Sequence, residues 1–394
     1  MKKLFIILPL FLLLCFNFCI QQQENEVKKI MEDGVEVVVN YLEPCEIKGE
    51  SNNLNLEEKF IVDLEEDSLA EAGITEVGGF DVDNHGNIFF WSPMSNDNFI
   101  FKFNGNGKYI KSFGRSGQGP GEMGSIFNFR INDRNKILIS DVLQKKIIAL
   151  SLNGDFINEF PMAPDHAMAT LLENGKILAM KSIFNPEEGI TEFPIVICGE
   201  DLKDEKVLHQ GQKSPNWVRA KKINGIEIYI NHYPWSIVKG NIYIGNVGDV
   251  YEVLVFDQDG NLQKKIRKEY APVKVPKEIK EKVIKMFENH HTNEVNKVYF
   301  PDHMPPFQYF FTDDEGRLYV MTYERGEGPR DFIYDIFNRE GFFIDRISLG
   351  NSGNENIVVW GGPFEIKSKN GKLYCMRVKE SGYQELVVYN MIWR

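Results

Sequence analysis

One pattern recurs along the chain: apolar strand, polar turn, apolar strand, loop, apolar strand, tight turn, apolar strand. Repetition of this kind restricts the fold more than any other feature, because each unit is a small sheet that cannot bury both faces alone. The first copy reads GFDVD (79–83), NIFFW (87–91), NFIFKFN (98–104) and KYIKSFG (108–114). The second reads FNFRIND (127–133), KILISD (136–141), KIIALSLN (146–153) and DFINEF (155–160), and the third MATLLE (168–173), KILAM (176–180), FPIVICG (193–199) and EKVLHQ (205–210). In the fourth, PWSIVKG (234–240) precedes NIYIG (241–245), EVLVFDQDG (252–260) and NLQKKIRK (261–268). The fifth is FQYFFTDDEG (307–316), RLYVM (317–321), DFIYDIFN (331–338) and FFIDRISL (342–349). A sixth, FEIKSKNG (364–371), KLYCM (372–376) and ELVVYNM (385–391), stops after three strands.

Four-stranded antiparallel units of this kind stack around an axis and must close into a ring. The missing fourth strand has a donor at the other end of the chain, EEKFIVDLEE at 57–66. Three strands at one end and one at the other predict an all-β fold: a six-bladed β-propeller of four-stranded antiparallel blades, the last closed by an N-terminal strand. Glycine recurs at the first hairpin turns, as expected where a tight turn needs positive φ. One short helical insert is expected at about 271–306. There PKEIKEKVIKMFENHH (276–291) places Pro276 at a helix start and Ile279, Val283, Ile284 and Phe287 on one face.

The first residues carry an export address. Lys2 and Lys3 precede an apolar run, Leu4 to Leu14, too short to span a bilayer. Cys15 and Cys19 close the run and the chain turns polar at Gln21. This arrangement resembles a bacterial lipoprotein signal, with Cys19, at the apolar-to-polar switch, as the acylated residue. Phe18 departs from the small residue such signals prefer there. The expected organisation is a signal peptide at 1–18, a tether at 19–57 and the propeller at 58–394. Within the tether, Val35–Tyr41 (VEVVVNY) has the composition of a strand.

Removal of 1–18 takes Lys2 and Lys3 from the 45 basic residues, leaving 43 against 57 acidic, a net charge of −14. Such a surface repels phosphate backbones, so nucleic acid is not an expected partner. The remaining cysteines, Cys45, Cys198 and Cys375, are odd in number and lack CxxC spacing, which predicts neither a disulfide framework nor a zinc site. Cys198 and Cys375 read as small core residues.

The segment SGQGPGEM (116–123), the DEGRLYV-type strands and the stretch FPDHMPPFQYFFTDDEGRLYV (300–320) resemble exported six-bladed propeller proteins related to NHL-repeat proteins. The resemblance covers about residues 58–394. It implies the fold and export to the cell envelope, as a lipoprotein of the periplasm or outer membrane, and no assured activity.

In a propeller the a–b and c–d turns, short here, emerge on one face, and the longer b–c and d–a connections on the other. The long ones include SPMSND (92–97), SIFNPEEGITE (182–192), residues 211–233, residues 271–306 and YERGEGPRD (323–331). Elaborated loops on a rigid scaffold are where sites usually lie, so a ligand is expected on that face, near the central channel. Arg115, Arg130, Arg325 and Arg330 stand on or beside the two glycine-proline loops and form a candidate patch for a carboxylate or sulfate. Trp91, Trp235 and Trp360, with Trp217, are candidate sugar-stacking platforms. Gly117, Gly119, Pro120, Gly121 and Glu122 read as a structural loop; GQGPG is not GxxxxGK[ST], so a nucleotide site is not expected.

DVDNHGN (81–87) has the start of a calcium loop, but Ser92 stands where the bidentate glutamate belongs, and a plain turn is expected. His290, His291 and His303 are weak metal candidates. Neither GxSxG, HExxH nor a Cys–His nucleophile context occurs, so no catalytic residue is assigned. The reading is a membrane-anchored binding module with no cofactor, for an unknown ligand or envelope protein. The alternative is a calcium-dependent hydrolase or lyase of the lactonase-like propeller type, whose ligands would come from separate blades.

Overall fold

In a computed structural model, the chain is described at residues 27–394 apart from 75–76, 93–98, 229–234, 247, 249, 291–296, 327, 329–330, 351–365 and 380. The signal peptide, Cys15, Cys19, Arg330 and Trp360 lie outside the described residues. So do His291, most of SPMSND and the side chains of Trp217, Phe287 and His290.

The six expected repeats are six sheets. The first blade pairs Gly79–Val82, Ile88–Trp91, Ile100–Phe103 and Tyr109–Phe113 in order from the axis outward. The second pairs Ile126–Ile131, Ile137–Asp141, Lys146–Leu150 and Phe156–Pro161. The inner strands of the first, second and fifth blades end in the same turn. An Asp or Asn at the first position accepts the backbone N–H groups two and four residues on, and a residue at positive φ sits between them. Asp83 takes His85 N and Asn87 N, each at 2.8 Å, around Gly86 at φ 81°. Asn132 takes Arg134 N and Lys136 N around Asn135 at φ 56°, and Asp313 takes Glu315 N and Arg317 N around Gly316. DVDNHGN is thus a plain turn, as its missing glutamate predicts.

Ring closure follows the sequence. Leu54–Asp63 pairs antiparallel with the last strand, Gln384–Trp393, and completes the sixth blade. Core side chains collect between neighbouring blades rather than within them. Phe80, Phe90 and Phe103 of the first blade pack on Tyr374, Leu386 and Val388 of the sixth, and Tyr251 and Val253 of the fourth on Phe307, Phe310 and Phe337 of the fifth. Burying each sheet on its neighbours supplies the hydrophobic stabilisation that no blade has alone. A buried polar latch fixes the fourth blade to the fifth. Asp335 accepts Tyr251 Oη at 2.9 Å and Arg346 Nε at 2.9 Å, with Lys268 Nζ at 3.4 Å.

The stretch expected as a tether is in part a structural strap. Lys28–Glu32 and Val35–Asn40 form a hairpin, and the latter strand lies parallel to the outer strand of the fourth blade, Leu262–Lys268. Val37 and Val38 are fully buried there. Asn40, also fully buried, donates to Gly341 O at 2.9 Å and Arg267 O at 3.1 Å and accepts Phe343 N at 2.8 Å. Its side chain thus substitutes for a backbone ladder between the fourth blade and the fifth. Arg267 bridges Glu32 of the hairpin and Glu252 at 2.7 and 2.6 Å. Beyond it, Cys45 N donates to Phe343 O, Asn338 Nδ2 to Glu50, and Leu54 N to Asp345. Residues 28–54 therefore run along the rims of the fourth and fifth blades to the closing strand.

The two longest insertions fold together. Helix Trp217–Ile223, helix Lys277–His290 and the parallel pair Ile226–Glu227 with Val298–Tyr299 make a small cap joined to d–a connections. Ile279 and Val283 of the expected helix face Ile226, Ile228 and Met304, while Ile284 is exposed. Its apolar face is committed to this cap, which accounts for the amphipathic pattern. No described helix is long and apolar enough to cross a membrane.

Candidate functional site

The inner strands of all six blades enclose a cavity of about 600 Å³ along the axis. Its wall mixes apolar and polar groups, including Phe129, Ile237 and Phe311 beside Asn128, Arg130, Thr170, Ser236 and Thr312. That size and mixture fall in the range of small-molecule sites. The lining continues to the short-turn mouth at Asn84, Asp133, Lys239, Asp314 and Asn370. Here the inner turns are stitched to one another: Asn370 N donates to Asp314, Asn370 Nδ2 to Asn84 O, and Asn84 Nδ2 to Asp133 O. The site is therefore axial and reaches the face opposite the long loops.

Charge in the channel is nearly balanced. Asp81 accepts Val82 N at 2.9 Å and Ile131 N at 2.7 Å and pairs with Lys367 Nζ at 3.2 Å, joining the sixth, first and second blades. Lys369 stands 3.4 Å from Asp314, and Asp313 is held by Arg317 and by Tyr319 Oη. Arg130 differs. Its Nη1 is buried and bonds nothing among the described residues. Burial lowers the affinity of its guanidinium for the proton, and the field of Asp81, Asp133 and Glu173 opposes that shift. The Oγ1 atoms of Thr170 and Thr312, residues 3% and 6% exposed, are likewise buried without a partner among the described residues. These three atoms are closed to solvent, so what the cavity offers a ligand is the remaining mixed surface of its wall.

Of the candidate arginines and tryptophans, the structure brings Arg130 and Trp235 to the cavity. Arg115 is exposed on the connection between the first and second blades. Arg325 lies over the Phe332 ring at 4.2 Å on the fifth blade, and Trp91 covers Gly78 and packs into the first–second blade core. The described arginines, Arg115, Arg130 and Arg325, therefore do not form one patch. Thr170 and Thr312 were not singled out by sequence. The available signal was their place on inner strands, in MATLLE and FQYFFT, but alternation alone does not say which polar residue meets the axis.

The loop SGQGPGEM is closed on itself. Glu122 accepts Gly119 N at 2.9 Å, Gly117 N donates to Met123 O, and Gln144 Nε2 donates to Gly117 O. A Cβ at Gly117, whose φ is 155°, would stand 2.0 Å from the Glu122 carboxylate. The backbone that might have cradled an anion is occupied by the loop's own glutamate.

One Cys–His pair emerges only in three dimensions. Cys198 Sγ lies 3.6 Å from His166 Nε2 and 3.5 Å from Asp204 Oδ1. His166 Nδ1 accepts Ala163 N at 3.3 Å, which leaves the ring proton on Nε2, pointing at sulfur. The ring cannot then take the thiol proton. Burial and Asp204 push the thiol up to about 12. Both residues belong to the third blade, and Cys198 packs in the core between it and the second, in keeping with Cys198 as a core residue. Among the described residues no three His, Cys, Asp or Glu side chains converge as a metal-holding group.

Residues 74–196 match the model of a family described as a 6-bladed beta-propeller, DUF5128. The search of curated proteins finds no match to the sequence. Among solved structures, a Bacteroides fragilis protein described as exported aligns over 90% of this chain and 99% of its own at 13% identity, with a TM-score of 0.51. A member of the DUF4221 family from Bacteroides vulgatus aligns over 88% of this chain and 100% of its own at 10% identity, with a TM-score of 0.50. At such identities the likeness is one of fold. Repeat, coordinates, family model and both structures agree: the chain is a six-bladed β-propeller.

Proposed function

We propose that the chain is an exported binding module, anchored to the envelope through lipid on Cys19, that holds a small polar ligand in its central channel. The observation that carries this reading is the axial cavity of about 600 Å³, lined from all six blades by apolar and polar side chains together. A rigid ring with core between every pair of blades pre-organises such a wall, so little ordering cost is left for binding. The cap on the d–a side and the stitched turns on the other leave the channel as the shared feature of all six repeats.

The test is a thermal-shift screen of the full chain against sugars, sugar acids, amino acids and short peptides, followed by calorimetry. A ligand of the channel raises the melting temperature of the wild type and not of Ser236→Trp, which fills the channel from the fourth blade. Ligands that bind equally well to a folded Ser236→Trp would place the site elsewhere.

A further inference from the structure

We propose that the ligand of the channel is an uncharged, hydroxylated molecule, a neutral sugar, held by Asn128 and Ser236 with the Trp235 ring as its apolar platform. The inference rests on the channel reading above and adds the chemical class.

Charge is the first constraint. The wall carries four carboxylates and four cations, and each is either committed, closed off or screened. Lys367 and Lys369 lie 3.2 and 3.4 Å from Asp81 and Asp314. Asp313 is held by Arg317 at 3.3 Å and by Tyr319 Oη at 2.9 Å. Arg130 has its Nη1 shut off from solvent, in the field of Asp81, Asp133 and Glu173. Asp133 and Lys239, one of each sign, are exposed at the short-turn mouth, where water and salt screen them. A charged ligand would shed its hydration in the channel with no uncommitted counter-charge to meet it, a large cost away from bulk water. A neutral ligand does not incur that cost.

The groups a ligand can reach are a different set. Asn128 on the second blade and Ser236 on the fourth are half-buried on the wall, and no described residue bonds either side chain. Carboxamide and hydroxyl each donate and accept, so a sugar hydroxyl satisfies either of them in either sense. Trp235, next to Ser236, packs on the core between the third and fourth blades and also lines the cavity. Its indole N–H has no partner among the described residues. An indole presents a flat apolar face to the C–H side of a sugar ring and one donor at its edge. A ring with C–H bonds on its face and hydroxyls around its rim uses all three residues, whereas an apolar ligand leaves Asn128 and Ser236 unmet.

D-glucose, D-galactose and D-mannose, each beside its uronate and its 6-amino-6-deoxy form, keep the ring and change the charge at one carbon. Calorimetry on the full chain at neutral pH is expected to find a neutral sugar that binds about tenfold or more tighter than both of its charged forms. Asn128→Leu, with its melting curve showing it folded, should weaken that sugar about fivefold. Binding should also shift the tryptophan emission of the wild type and leave that of Trp235→Phe unchanged. If a charged form binds as tightly as its neutral parent and Ser236→Trp abolishes both, the neutral assignment falls and the channel reading stands. A panel in which no neutral sugar binds, or binding that ignores both Asn128→Leu and Trp235→Phe, also overturns the assignment. Binding indifferent to a folded Ser236→Trp overturns the channel reading itself.

Discussion

Replacing Asn40 by alanine tests whether the N-terminal hairpin is part of the folded ring or an ornament on it. The carboxamide bonds Gly341 O, Arg267 O and Phe343 N, the first and last of these bonds fully buried, and spans two blades with them. Alanine removes the partner of all three while leaving the backbone in place. Each buried backbone group left unmet costs about 1–3 kcal/mol. Some water will enter beside the rim, so we take the low end and expect about 3–4 kcal/mol in all. With ~2.1 cal/mol/K per residue of unfolding entropy over 394 residues, each kcal/mol corresponds to roughly 1.2 °C. The expected fall in melting temperature is therefore about 4–5 °C. If the hairpin instead opens locally before the ring melts, the loss appears as faster amide exchange at 35–40 with the melting temperature unchanged. Calorimetry and hydrogen exchange on the same sample separate the two. Wild-type melting together with wild-type protection of Val37 and Val38 would refute the view that Asn40 holds the strap.

Two other perturbations follow from the geometry. At Gly211, φ is 70° and a Cβ would lie 1.7 Å from the Phe193 carbonyl oxygen, which is backbone and cannot swing away; Gly211→Ala should cost about 2–4 kcal/mol in denaturant unfolding, while Gly175→Ala, with open space around it, costs only its positive φ. Burial lowers the proton affinity of both His166 and His209. Unfolded histidine therefore binds more protons than folded histidine just below pH ~6.5, so stability is full above that pH and falls as pH drops toward the folded values. Melting curves between pH 7.5 and 5.5 should show this decline, and His166→Asn should flatten it; an unchanged slope would show that His166 does not contribute.

Much of the ring was legible because its information is local and repeated. Strand pairs such as KILISD with KIIALSLN declare themselves by alternation, and Asp or Asn before Gly declares the turn. The closing strand was legible by counting, since a blade of three strands lacks an edge partner. The strap was not. VEVVVNY advertises a strand, but which rim accepts it is settled by Asn40 meeting Gly341 and Phe343, some three hundred residues away. The cap was hidden for a related reason: 217–228 and 277–304 each lack a core and acquire one only from the other. At the site, Arg130 and Trp235 were among the residues singled out because charged and aromatic side chains draw the eye. Thr170 and Thr312 did not, because an unmet hydroxyl is a property of surroundings rather than of sequence.

The strap also alters the geometry of any attachment to a membrane. A spacer over 20–57 would be 38 residues, a leash of roughly 130 Å at full stretch. With the chain entering its hairpin at Lys28, eight residues separate Cys19 from the rim, and they reach at most about 30 Å. Lipid on Cys19 would then moor the ring close to the bilayer by the edge of its fourth blade. A ring held at its edge by so short a leash would keep that rim, rather than either mouth, beside the headgroups. Neither mouth of the channel would then be the part held against the bilayer.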